Sequence, residues 1–211
     1  MERIELNINK KKIIFVILAG GESKRFGGGL KTLSKINNKS IFNRILEKLK
    51  KNEIEILINA NQSHEEFLKS NLPIIKDKKK GFLGPLAGIH SSISWCIKEY
   101  KDKEWVFTVP SDTPFLPENL LEKFCNKLEK NVQILVARSN NKVHPVISMW
   151  NVNLLNSLEK ELSLKNRKIM TWVERHNFDY VDFNYKTFDP FFNINTTNDL
   201  KSAENLDHLN E

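Results

Sequence analysis

At 211 residues, with 40% hydrophobic and 28% charged side chains, the chain can bury a sizeable core in one globular domain, which excludes a disordered, collagen-like or low-complexity protein. Its net charge of +7 comes from scattered lysines such as Lys48, Lys50 and Lys51, a solvated basic surface with room for an anionic small molecule and no nucleic-acid stripe. No stretch approaches the roughly 18 apolar residues of a membrane span. The two cysteines, Cys96 and Cys125, match no metal or redox spacing, so free thiols in a reducing cytoplasm are expected.

The N-terminal "KKKIIFVILAGG" imitates a signal peptide, but its apolar run is short and acidic Glu2 and Glu5 precede it, so residues 13–19 read as a first buried strand. After a glycine-rich loop, Ile41, Phe42, Ile45, Leu46 and Leu49 fall on one face at helical spacing. "EIEILINAN", 53–61, reads as a second strand, and "SHEEFLKS" as a helix opened by Ser63 and Glu66 in a capping box. "LPIIK" is a third, short strand. "PLAGIHSSISWCIKEY" is a helix with Pro85 at its first position, after a "GFLG" turn. "EWVFTVP" is a buried strand that runs into the polar cluster "SDTPFLP". "VQILVAR" and "VHPVISMW" flank "SNNK", the pattern of a hairpin, so the sheet is expected to be mixed. Helical patterns at 152–162 and 167–176, a strand at 178–183 and a helix capped by Thr196 and Asp199 complete the chain. No linker or repeat divides it, and alternating strands and helices predict one α/β domain over 1–211: a Rossmann-like, three-layer fold with a mostly parallel, mixed sheet. Nucleotide chemistry is then expected at the C-terminal ends of the strands.

The stretch "VILAGGESKRFGGGLKTL" places five glycines and three basic residues directly after the first strand. It is not a Walker loop, because Leu30 stands before Lys31 where a glycine is required. Nor is it a dinucleotide fingerprint: counting on from Gly27 and Gly29 reaches Thr32, and the second strand ends in Asn59 in place of a ribose-binding acid. These two failures disfavour an oxidoreductase. Gly20, Gly21, Gly27, Gly28 and Gly29, with Arg25 and Lys31, instead suit a polyphosphate approached by backbone N–H groups.

These residues resemble the molybdenum cofactor guanylyltransferases, nucleotidyltransferases that open on an L-A-G-G-x-x-x-R-M-G-G-type signature. Leu18, Ala19, Gly20, Gly21, Arg25, Gly27, Gly28 and Lys31 fall on it. The likeness continues through "INAN" with Asn59, then Asp77 and "GPLAGI" with Gly84 and Pro85. It extends to "PSDTPFLP" with Asp112, "HPV" with His144 and "NINTTNDL" with Asn193 and Asn195, so it covers nearly the whole chain. Two positions depart from the family: Leu30 stands where it usually shows an acid, and Phe26 where it shows methionine.

The resemblance implies that GMP is transferred from GTP to the phosphate of molybdopterin, or of Mo-molybdopterin, with release of pyrophosphate. It implies Mg²⁺ on Asp112, phosphates held by Arg25 and Lys31, guanine read by Asp77 and by the "GPLAG" turn, and a pterin beside Asn193 and Asn195. The N-terminal half would bind GTP and the C-terminal half the pterin. Molybdenum insertase and apo-molybdoenzymes are implied as protein partners, with no nucleic acid and no membrane. Read from chemistry alone, Asp112 at a strand end suits Mg²⁺ held by one carboxylate plus phosphates and water, but also a turn or N-cap aspartate. Asp77 is equally a loop acid balanced by Lys78, Lys79 and Lys80, and His144 a structural histidine or a substrate contact. A sibling enzyme using CTP or a sugar phosphate acceptor, and a non-catalytic cofactor carrier, stay open on the sequence.

Overall fold

A computed structural model describes residues 9–20, 31–79, 84–164 and 166–207. Its first strand, β1 (Ile13–Leu18), is apolar throughout, and burial of its side chains on both faces is what a central parallel strand requires. On one side it pairs in parallel with β4 (Ile56–Asn59), which pairs in parallel with β5 (Ile74–Ile75). On the other side it pairs in parallel with β6 (Trp105–Pro110). β8 (Lys142–Asn151) then runs antiparallel to both β6 and β7 (Ile134–Ser139), and β9 (Phe178–Phe183) closes the sheet parallel to β7. The order is β5-β4-β1-β6-β8-β7-β9, so the sheet is mostly parallel with β8 as its reversed strand, as the hairpin pattern predicts.

The connecting helices separate onto the two faces. α1 (Ile41–Lys50) and α4 (Leu120–Lys127) bury Phe42, Ile45, Leu121 and Phe124 against Phe15, Ile17 and Phe107. Phe67 of the short α2 (Glu65–Lys69) and Ala203 of α7 (Thr197–Asp207) join that core. On the other face α3 (Pro85–Glu99), α5 (Leu155–Ser163) and α6 (Ile169–Val173) set Leu86, Ile93, Leu158 and Trp172 against Ile14, Val16 and Val106. The molecule is a helix–sheet–helix sandwich. The path from β1 steps outward through α1 and α2 to β5, then returns over the opposite face through α3 to β6. β1 and β6 are therefore neighbours whose connections leave in opposite directions, and their C-terminal ends form a topological switch point.

Several local details differ from the sequence expectation. The α2 cap is His64, whose Nδ1 accepts from the Glu66 N–H at 3.4 Å, not Ser63; His64 holds the extended φ/ψ that an N-cap needs. The second strand is the shorter 56–59, and Glu53, with a positive φ of 55°, lies in the turn before it. A small hairpin of β2 (Lys35–Ile36) and β3 (Lys39–Ser40), and the helix α4, are additional to the expected elements. Both hairpins turn on Asn-Asn pairs with positive φ, Asn37-Asn38 and Asn140-Asn141, the geometry of a type I′ turn. At the other end of the chain the expected capping box is present: the Asp199 N–H donates to Thr196 Oγ1 at 3.1 Å, and the Thr196 N–H donates to Asp199 Oδ2 at 2.8 Å.

Candidate active site

A cavity of about 470 Å³ opens at the switch point, lined by the ends of β1, β4 and β6, the first turns of α3 and the first half of β8. The Ala19 N–H donates to Asn59 O at 2.8 Å and the Ser111 N–H to Leu18 O at 3.2 Å, so the three strand ends stay together past the ladder.

Beyond β6 the chain turns through Ser111 and Asp112. Lys31 Nζ donates to Asp112 Oδ2 at 2.6 Å and to Asn195 Oδ1 at 2.8 Å. Buried Thr113 donates to Asn193 Oδ1 at 2.6 Å, and the Ile194 N–H donates to the Asp112 carbonyl at 3.0 Å, fastening the 193–195 segment to this turn. Asn193 meets the turn through Thr113, and Asn195 joins it through Lys31. Lys31 and Asp112 are only 15% and 19% exposed, so their pairing is partly desolvated and still open to a ligand.

A second cluster lies around Asp77. Its Oδ1 accepts from Asn59 Nδ2 at 3.0 Å and its Oδ2 from Asn61 Nδ2 at 2.9 Å, while its own N–H donates to Asn61 Oδ1 at 3.0 Å. The lysines beside it point elsewhere, Lys78 to the Ser94 hydroxyl and Lys79 to Glu159. Asp77 is thus set by two amides and not balanced by Lys78 or Lys79. Gly84 holds φ 70°, a left-handed conformation that suits glycine, and Pro85 follows at the start of α3, whose N-terminus opens into the cavity. Gly88, one turn further on, lies against β4: a Cβ there would come within 2.5 Å of Asn59 Oδ1.

The third wall is irregular. The β7–β8 register jumps from Val136↔Ser148 to Ala137↔His144, and Pro145, which has no N–H to give a ladder, lies in the excursion. Residues 145–147 form the unpaired excursion, and together with 142–144, which stay paired to β7, they line the cavity. His144 Nε2 lies 2.6 Å from the Ser139 hydroxyl, which donates to Asp189 Oδ1 at 2.9 Å, and the ring packs edge-on against Phe191. Burial holds the imidazole below its ordinary range, with nearby Asp189 opposing the shift.

Leu18, Ala19, Gly20, Lys31, Asn59, Asp77, Gly84, Pro85, Asp112, His144 and Asn193 all line this cavity, and Asn195 joins through Lys31. Gly21, Arg25, Phe26, the glycines 27–29, Leu30, Lys80 and the turn at 81–83 lie outside the described residues. The sequence reading omits Asn61, Ser111 and Lys142. Asn61 carries a usable signal, because it stands two residues beyond Asn59 in an extended segment and so points to the same side.

A strand–loop site at the switch point of a doubly wound sheet, with a lysine from the turn beyond the β1 loop joined to an acid at the end of β6, defines a nucleotide-binding α/β enzyme. The family model for the MobA-like NTP transferase domain matches residues 15–179, and the chain belongs to that family. Among named relatives, it is 36% identical over 193 residues to the molybdenum cofactor guanylyltransferase of Rhodopseudomonas palustris (strain BisB5), covering 90% of this chain and 92% of that one. It is also 36% identical over 203 residues to the enzyme of that name from Mesorhizobium japonicum, covering 93% and 97%. Among solved structures, the molybdopterin-guanine dinucleotide biosynthesis protein A of Archaeoglobus fulgidus superposes with a TM-score of 0.72 at 26% identity, covering 93% of this chain and 99% of that one. No helix among the described residues is long and apolar enough to cross a membrane.

Proposed function

We propose that the protein transfers GMP from GTP to molybdopterin or Mo-molybdopterin. An oxygen of the acceptor's terminal phosphate bonds to the α-phosphorus of GTP, the bond from that phosphorus to the β-phosphate oxygen breaks, and pyrophosphate leaves. The acceptor is already an oxyanion near neutral pH, so no general base is needed, and the rate must come from positioning and charge neutralisation. The observation that carries the reading is the joined Lys31, Asp112 and Asn195 at the switch point, in the same cavity as the amide-held Asp77.

Guanine presents N1–H and a 2-amino group as adjacent donors, and each oxygen of Asp77 keeps a lone pair beyond the one its asparagine uses. Lys31, with Arg25 from the glycine loop, meets the phosphates, and Gly20 and Gly21 let backbone N–H groups approach them. The donor set suits Mg²⁺: Asp112 offers one carboxylate at the cavity, its Oδ1 meets a protein partner only at the 3.3 Å Thr113 hydroxyl among the described contacts, and phosphates and water supply the other ligands. An ion held there would supply neutralisation of the charge developing on the transferring phosphoryl group.

In the same proposal the N-terminal half binds GTP, and His144, Asn193 and Asn195 in the C-terminal half bind the pterin, within one domain over 1–211. Molybdenum insertase and apo-molybdoenzymes are the protein partners. The cytoplasm is the site of action, with which two free cysteines agree. A nucleotide-dependent thermal shift tests the base assignment: GTP should raise the melting temperature more than CTP, ATP or UTP at equal concentration. An equal or larger shift with CTP would contradict it.

A further inference from the structure

The β4–β5 ladder pairs Asn59 with Ile75, and the Ala60 N–H donates to Ile75 O at 2.8 Å, continuing the pairing beyond the regular strands. Two residues further along both chains, on the same face, Asn61 stands opposite Asp77. Their contact is a closed ring of two hydrogen bonds: the Asp77 N–H to Asn61 Oδ1 at 3.0 Å, and Asn61 Nδ2 to Asp77 Oδ2 at 2.9 Å. Because one partner can only donate and the other only accepts, the ring fixes the orientation of the amide. Gly20 closes the other side, since a Cβ there would lie 3.2 Å from Asn61 Nδ2. Asn61 thus touches the start of the glycine loop and the acid that reads the base.

We propose that Asn61 is a positioning residue for guanine selection, holding Asp77 aimed so that both carboxylate oxygens meet the base. The proposal rests on the guanine reading of Asp77 and extends it to a residue that need not touch substrate. With Asn59 alone, the carboxylate keeps one hydrogen bond and can rotate about its Cα–Cβ and Cβ–Cγ bonds.

The test is Asn61→Asp, which keeps the side-chain shape and the acceptor for the Asp77 N–H but sets a second carboxylate against Asp77 Oδ2. Two carboxylates at that separation retain a shared proton to higher pH than either alone, and the shared proton restores the bridge. Lys76 is next to Asp77 in sequence, and among the described residues Lys78 and Lys79 are engaged by Ser94 and Glu159. Calorimetric titration measures the ratio of GTP to ATP affinity; the two share a triphosphate, so its own titration cancels. Near pH 8 the variant should lose about tenfold or more of that ratio, the scale of one hydrogen bond to a charged group. The ratio should recover as the pH falls toward about 5.5, relative to that of the unaltered protein at the same pH. A ratio equal to that of the unaltered protein near pH 8, or a lowered ratio that does not move with pH, overturns the role of Asn61. If the unaltered protein itself does not prefer GTP to ATP, the guanine reading fails first and the inference with it.

Discussion

Asp112→Asn keeps an acceptor for Lys31 Nζ but removes the charge that would hold Mg²⁺, so turnover should fall by about a hundredfold or more while the melting temperature stays close to that of the unaltered protein. Near-normal turnover at saturating Mg²⁺ would remove Asp112 from the mechanism. Lys31→Ala should weaken GTP binding and turnover together, because a cation on the phosphates acts in ground and transition states alike. Asp77→Ala should reduce GTP affinity by about 1–3 kcal/mol and leave weaker ATP binding nearly unchanged in a calorimetric titration. Asp77 and Asp112 are legible in the sequence because each follows a strand end in a local motif, and Lys31 because it closes the glycine-rich stretch after β1. The bonds that join Lys31 to Asn195, or Asp77 to Asn61, are not, since they depend on which distant segments the fold brings together.

At the scale of elements, α3 is held so close to β1 and β4 that its face has no room at Gly88. A central helical Gly→Ala change ordinarily gains about 1 kcal/mol of helix stability. Here the added Cβ would meet Asn59 Oδ1 at 2.5 Å and Leu18 Cδ2 at 3.0 Å, so Asn59 would be displaced from Asp77. Gly88→Ala should therefore lose GTP affinity with helical content unchanged by circular dichroism, and unimpaired GTP binding would show that Asn59 can move freely. Most elements are legible because a buried parallel strand and an amphipathic crossover helix each write a period into the sequence. β2 and β3, at two residues each, are too short to show a period, and α2 is capped by His64 because that side chain reaches the Glu66 N–H. The excursion of β8 at Pro145 is a product of pairing with β7, and no local pattern announces it.

For the molecule as a whole, strand order is the least legible property, since sequence neighbours β7 and β8 form the hairpin while β6 pairs with β8 across it. Stability should carry a pH signature from buried His90 and partly buried His144. Burial pushes both His90 and His144 down, against opposing Glu159 and Asp189. Below about pH 6.5 the unfolded chain takes up protons that the folded one resists, so this contribution is present above that pH and is lost as the pH falls. The melting temperature should decline from about pH 6.5 to pH 5, and His90→Gln should make the decline shallower; an unchanged slope would contradict the assignment. The central claim, guanylyl transfer at the switch point of β1 and β6, is tested most directly by pyrophosphate release with molybdopterin and each of the four nucleoside triphosphates. The account predicts release with GTP that depends on both Mg²⁺ and the pterin, with little from the other three. Faster release with CTP, or release with GTP that is indifferent to the pterin, would contradict it.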